Sequence, residues 1–175
     1  MKEFLLDCLN LPFKTNSQDN PEHENQVEEL LKKHNLEYIS QPNGTQNSPD
    51  FYVFHDGERH SIECKSSKNT YPMYNSGLPK EEYIYIFSTA KYNETTLFKG
   101  SSVVPKQKRE LYEGLLKDLG DVLQRYQNTP EWQEDNRGFD FYVRKMYTQC
   151  GGATKTDYFR HDERKQCEEE VLNLF

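Results

Sequence analysis

Asp50, Glu63 and Lys65 are the residues of this chain whose types and spacing best suit chemistry, since Pro49-Asp50 is followed, after twelve residues, by Glu63-Cys64-Lys65. Two carboxylates offer anionic oxygens to a hard divalent cation such as Mg²⁺. An ammonium group beside them can orient or deprotonate water and steady the negative charge that grows in a transition state. Hydrolysis of a phosphodiester demands all three: oxygen ligands for the cation, a water made nucleophilic, and compensation for charge on the phosphate. A cation bound next to Lys65 would also push its amine pKa down.

Convergence of the three depends on the backbone around them. Phe51 to Phe54 and Ser61 to Lys65 are strand-like runs, and the connection between them contains Asp56-Gly57, so the segment is expected to form a β-hairpin. Side chains two apart on a strand share a face, which puts Glu63 and Lys65 together, and the hairpin folds them back towards Asp50. Cys64 then points its thiol the other way and leaves only its carbonyl for the site. The structural alternative is a surface ion pair across two strands beside a turn-initiating aspartate.

The neighbouring elements follow from periodicity. Residues 3 to 11 suit a short helix, and Thr15 to Asn20 a polar loop. Pro21 suits the first position of a second helix capped by Asn20, with Val27, Leu30, Leu31 and His34 on its buried face. Leu36 to Ser40 can be a strand, Gln41 to Ser48 is rich in turn formers, and Ser66 to Lys80 is a long polar loop. Tyr83 to Thr89 reads as a buried strand, and Lys99-Gly100 as the turn of a second hairpin. Pro105 opens the longest helix, whose Leu111, Leu115, Leu119, Val122 and Tyr126 form a stripe that is either core or a dimer seam. Phe139 to Tyr147 alternates as a strand, Gly151-Gly152 is a turn, and the last fifteen or so residues are helical. The expected fold is α/β: a central mixed sheet of about five strands flanked by helices. One domain over residues 1–175 accommodates it, with a catalytic core of about 21–104 and an extension over 105–175.

Composition narrows the partners. The formal net charge of −7 argues against a polyanion, yet the stretch from Lys65 to Arg109 has eight basic and three acidic residues, net +5. No apolar run approaches the roughly 18 residues of a membrane span, and Met1 to Leu11 is too short and polar for a secretory leader, so a cytoplasmic protein is expected. Cys8, Cys64, Cys150 and Cys167 have no zinc-knuckle or disulfide spacing, and the five histidines have no ligand spacing.

In this context Pro49-Asp50, twelve residues, then Glu63-Cys64-Lys65 resembles the PD-(D/E)xK nuclease superfamily. Ser66-Ser67, the loop with Tyr74-Asn75-Ser76-Gly77-Leu78-Pro79 and the YIYIF strand resemble its restriction-enzyme branch. The resemblance covers about Pro21 to Thr89. It implies a restriction endonuclease-like fold and a type II enzyme that cuts double-stranded DNA site-specifically with Mg²⁺. Asp50, Glu63 and Lys65 would be catalytic. Asp50, Glu63, the Cys64 carbonyl and an acid on the preceding helix would hold the metal; Glu24 sits at the edge of that helix's buried face, with Glu28 farther round. The loop after the catalytic strand implies DNA contacts from Ser66, Ser67, Lys68, Asn75 and Lys80. One active site per chain makes a homodimer the economical way to cut both strands. A repair or junction-resolving nuclease of the same superfamily, or a DNA-binding module without turnover, are the alternatives.

Overall fold

Asp56 and Gly57 both adopt positive φ, 51° and 79°, which is what a two-residue hairpin turn requires, and Gly57 does so at no steric cost. In the computed structural model, which describes residues 1–17, 20–75, 77–134, 137–143, 145–148 and 157–175, this turn joins the second and third strands of a five-stranded sheet. The strands are β1 (Glu37–Ser40), β2 (Phe51–His55), β3 (Glu58–Ser67), β4 (Ile84–Thr89) and β5 (Glu94–Lys99), side by side in chain order. Neighbours pair antiparallel except β3 and β4, which run parallel, so the sheet is mixed. Every residue of β4 is buried, as its continuous β-branched and aromatic run requires of a strand covered on both faces.

Helices α1 (Lys2–Leu9) and α2 (Glu22–Lys33) cover one face. Phe4, Leu5 and Cys8 of α1, with Val27 and Leu31 of α2, meet Phe51, Val53, Ile62, Ile84 and Ile86 in one apolar cluster. On the other face, Tyr85, Phe87 and Phe98 pack against Tyr74, Tyr158 and Phe159. After α3 (Lys106–Gln127), helix α4 (Arg164–Leu172) runs beside β5 and joins both clusters, through Val171 and Cys167. The architecture is thus the expected α/β one. Among the described residues no helix is long and apolar enough to cross a membrane.

Three local expectations change, and one alternative is decided. Pro21 is the N-cap of α2 rather than its first residue, and the helix starts at Glu22 without a side-chain cap. The second hairpin turns between Thr89 and Glu94, not at Lys99-Gly100. Gly100 instead opens a short helical turn, Gly100–Val103, pressed so close to the Lys80 carbonyl that an added Cβ would collide with it. Of Phe139 to Tyr147, the described residues before Tyr147 form no strand; Tyr147–Thr148 pairs with Met73–Tyr74. The leucine stripe of α3 is not core, since that helix has no buried residue. The expected Gly151-Gly152 turn lies outside the described residues.

Candidate active site

The β2–β3 register pairs Phe51 with Ile62, so the next cross-strand position sets Asp50 opposite Glu63. The Cys64 backbone N–H donates to Oδ2 of Asp50 at 2.6 Å, fixing that carboxylate against β3, and the Gln41 N–H donates to the Asp50 carbonyl at 2.7 Å. Lys65 Nζ donates to Oε1 of Glu63 at 2.6 Å. Glu63 is 7% exposed, and its Oε2 is buried without a hydrogen-bond partner among the described residues. The Cys64 side chain belongs to the helix-covered cluster on the opposite face.

A third carboxylate arrives from α2. His23 is fully buried on that helix, and its Nε2 donates to the Ile86 carbonyl of β4 at 3.1 Å, which pins the first turn of α2 to the sheet. The next residue, Glu24, is thereby held in electrostatic contact with Glu63, Lys65 and Asp50, and accepts a hydrogen bond from the Gln41 side chain. Glu28 is engaged elsewhere: it accepts the Tyr38 hydroxyl at 2.8 Å and pairs with Lys32 at 3.1 Å.

Three acids around one ammonium leave the site electrostatically unbalanced. Burial, then the charges of Glu63 and Glu24, push the Asp50 carboxyl up to about 8 in spite of the Cys64 N–H and Lys65. Burial also raises Glu24, with Glu63 adding to it and Gln41 and Lys65 opposing. For Lys65, burial works against the ammonium, but the charge and hydrogen bond of Glu63 and the charge of Asp50 outweigh it and hold the amine above its ordinary range. A downward shift of Lys65 therefore needs a cation brought in from outside.

Among the described residues no three His, Cys, Asp or Glu side chains make up a ready metal-binding group. Mg²⁺ does not need one, because it commonly keeps several waters and takes one or two carboxylates. The unpartnered Oε2 of Glu63 and the adjoining Asp50 carboxyl are hard oxygen donors, which suit Mg²⁺ better than a softer metal. The residues present fit the ion.

The expected DNA contacts are more scattered. Strand alternation puts Ser67 on the face of Glu63 and Lys65, but its Oγ already accepts the Asn69 N–H at 3.0 Å; Ser66 lies on the Cys64 face. Lys68, Asn75 and Lys80 are exposed. The positive stretch is largely neutralised by folding: Lys91, Lys99 and Arg109 pair with Asp157, Glu82 and Glu81. Lys68, Lys80 and Lys108 keep no acidic partner among the described residues. Sequence reasoning passes over Gln41, His23 and Tyr83, whose hydroxyl bonds Ser48 and lies near Glu63. Only the fold brings these turn, helix and strand residues to the site, and no spacing signals them.

No protein-family model, no curated protein and no solved structure matches the chain. The central mixed sheet flanked by helices agrees with a PD-(D/E)xK-type nuclease and with other α/β proteins alike.

Proposed function

We propose that this protein is a Mg²⁺-dependent, site-specific endonuclease of the type II restriction kind, acting on double-stranded DNA as a homodimer. The observation that carries the reading is the buried group formed by Asp50, Glu63 and Glu24 around Lys65, with more negative charge than the chain neutralises. Structural ion pairs gain by matching their charges. A group left mismatched beneath a sheet end fits a site completed by a ligand cation.

Asp50 and Glu63, with the Cys64 carbonyl, would hold the ion, and Glu24 would act at its edge. When bound there, Mg²⁺ supplies positive charge against the scissile phosphate and acidifies water. Glu63 keeps the Lys65 ammonium in place, and that ammonium orients the attacking water and stabilises charge on the phosphate. The Cys64 N–H keeps the Asp50 carboxylate turned into the site rather than outward. Lys68 and Lys80, exposed and without an acidic partner among the described residues, contact phosphates from the loop after β3, with Asn75 on the same loop and Ser67 and Ser66 at the end of β3 itself. The catalytic core spans about 21–104 within a single domain, and the protein works in the cytoplasm.

Incubating the protein with a sequenced plasmid and Mg²⁺, then mapping the ends of the fragments, tests the reading. Discrete fragments that vanish with chelator and with Asp50→Ala are expected. An intact plasmid under all divalent-ion conditions, with the protein folded, overturns it.

A further inference from the structure

Helix α3 spans 22 residues, yet none is buried. Its exposed apolar residues follow a seam: Leu115, Leu119, Val122 and Tyr126 are spaced by four, three and four, the spacing that keeps side chains on the contact line of paired helices. Leu111 extends the stripe and is 64% exposed. Tyr112 of the same helix makes an edge-to-face contact with Tyr147, their ring centroids 5.3 Å apart. Farther along the chain Phe139 is 86% and Tyr142 78% exposed. Ten of the thirteen exposed large hydrophobic residues of the described chain fall between Leu111 and Met146.

Size bears on what covers this surface. Taking roughly 150–250 Å² for a whole large side chain, the five on α3, 41–64% exposed, leave on the order of 500 Å² uncovered. That lies within the roughly 300–600 Å² of the largest apolar patch on an ordinary monomer, a patch that is often functional.

Charge bears on the identity of the occupant. Asp118 and Arg125 flank the seam on one side, seven positions apart, and neither has an ion-pair partner among the described residues. When two copies of α3 lie antiparallel, flanking residues of that same side meet, and Asp118 comes opposite the partner's Arg125, twice by symmetry. Leu119 then packs by the partner's Val122 and Leu115 by the partner's Tyr126, and the two helix dipoles oppose favourably. The helix is complementary to itself in shape period and in charge.

We propose that the Leu115–Leu119–Val122–Tyr126 face of α3 is the self-association seam of this protein, pairing antiparallel with the same helix of a second copy and matching Asp118 to the partner's Arg125. The inference gives the homodimer of the proposed nuclease its interface, and rests on that reading only for the use made of two active sites. Sedimentation velocity of the full chain, without DNA or Mg²⁺, tests it independently of cleavage. The expected mass at tens of micromolar is about twice the 20.8 kDa of one chain. Leu115→Glu with Leu119→Glu returns it to that of one chain. Asp118→Arg and Arg125→Asp each raise the dissociation constant at least about tenfold, and the two combined restore dimers. These two positions are exposed, so folding is not at stake if the leucine variants fail to fold. A wild-type monomer overturns the proposal, including one that instead binds lipid vesicles. So does a dimer indifferent to the leucine substitutions, or a double charge reversal that does not rescue. None of these results bears on whether Asp50 and Lys65 cut DNA.

Discussion

Glu94 and Glu168 lie against the guanidinium groups of Arg160 and Arg164, whereas Asp50, Glu63 and Glu24 share the ammonium of Lys65. In the first group Arg164 donates to Glu94 at 2.7 Å and to Glu168 at 2.8 Å, and Arg160 to Glu94 at 3.0 Å. Arg164 also donates to the Phe159 carbonyl and lies 4.7 Å from the centroid of that ring. Burial alone would raise the Glu94 carboxyl; the two arginines reverse that and hold it below the ordinary range. In the second group burial is reinforced by neighbouring acids, and Asp50 goes up to about 8. Both groups join a helix to the same sheet through carboxylates and basic side chains. What differs is the ratio of cations to acids: the arginine network ties α4 to β5 with two guanidinium groups for two carboxylates, while three carboxyl groups share the one ammonium of Lys65, as the proposed cation site would require.

The widest separation between the two groups is expected in turnover. Asp50→Ala or Lys65→Ala lowers the rate of plasmid cleavage by at least about a thousandfold, the scale of losing a metal ligand or a charge stabiliser. Arg164→Ala leaves the rate per folded molecule within about threefold, because that arginine touches nothing near Asp50. Linearisation rates normalised to the folded fraction check this. Loss of turnover in Arg164→Ala alone would mean that the arginine network, not the Asp50 group, supports the chemistry.

Stability reverses the ranking. Arg164→Ala leaves Glu94 with Arg160 alone and Glu168 with only the Thr96 hydroxyl, and removes the clamp between α4 and β5, at a cost of about 3 kcal/mol. In a chain of this length that lowers the melting temperature by about 9 °C. Added Mg²⁺ does not restore it. Urea unfolding of wild type and variant, each with and without Mg²⁺, measures the loss.

The pH response sharpens the contrast further. The ordinary Asp value is 3.8, and folding raises Asp50 to about 8, so the native state binds this proton more tightly than the unfolded chain. The stability it contributes is complete below the unfolded pKa and is lost as pH rises through 8. Metal-free protein therefore melts about 5 °C lower at about pH 8.5 than at about pH 5, and Mg²⁺ offsets the drop at the higher pH only. Asp50→Asn removes the ionising group, flattens the profile and melts above wild type in metal-free buffer at high pH. A melting temperature that rises over this window, or an Asp50→Asn profile as steep as wild type, contradicts the imbalance.

The two groups differ also in how far the sequence announces them. The Asp50 hairpin is legible because Asp56-Gly57 specifies a tight turn and period-2 alternation puts Glu63 and Lys65 on one face. The arginine network is not, because Arg164 meets Glu94 across seventy positions and no local pattern encodes that pairing. Lys99-Gly100 reads as a turn since glycine serves turns and close approaches equally, and here the Lys80 carbonyl requires it. The α3 stripe reveals an apolar face but not whether this chain covers it; only exposure decides that. Gln41 belongs to a turn-rich segment where any polar residue is unremarkable, and its position beside Glu24 and Asp50 arises from the β1–β2 connection.

The smallest effect tests the edge of the site. Glu24 and Glu28 are one helical turn apart on α2 and chemically identical, yet Glu24 is held among Asp50, Glu63 and Lys65 while Glu28 is held by Tyr38 and Lys32. Glu24→Gln keeps the hydrogen-bonding shape and removes one charge from the crowd. It therefore weakens Mg²⁺ binding about tenfold, roughly 1.4 kcal/mol. It also relieves Asp50, so the Asp50 pKa falls and metal-free stability at high pH improves slightly. Glu28→Gln changes neither quantity, since its charge is already compensated by Lys32. Isothermal titration with Mg²⁺, paired with NMR titration of the Asp50 carboxyl, separates the two. Equal effects from the two substitutions would mean that general helix charge, rather than membership of the buried group, governs the site.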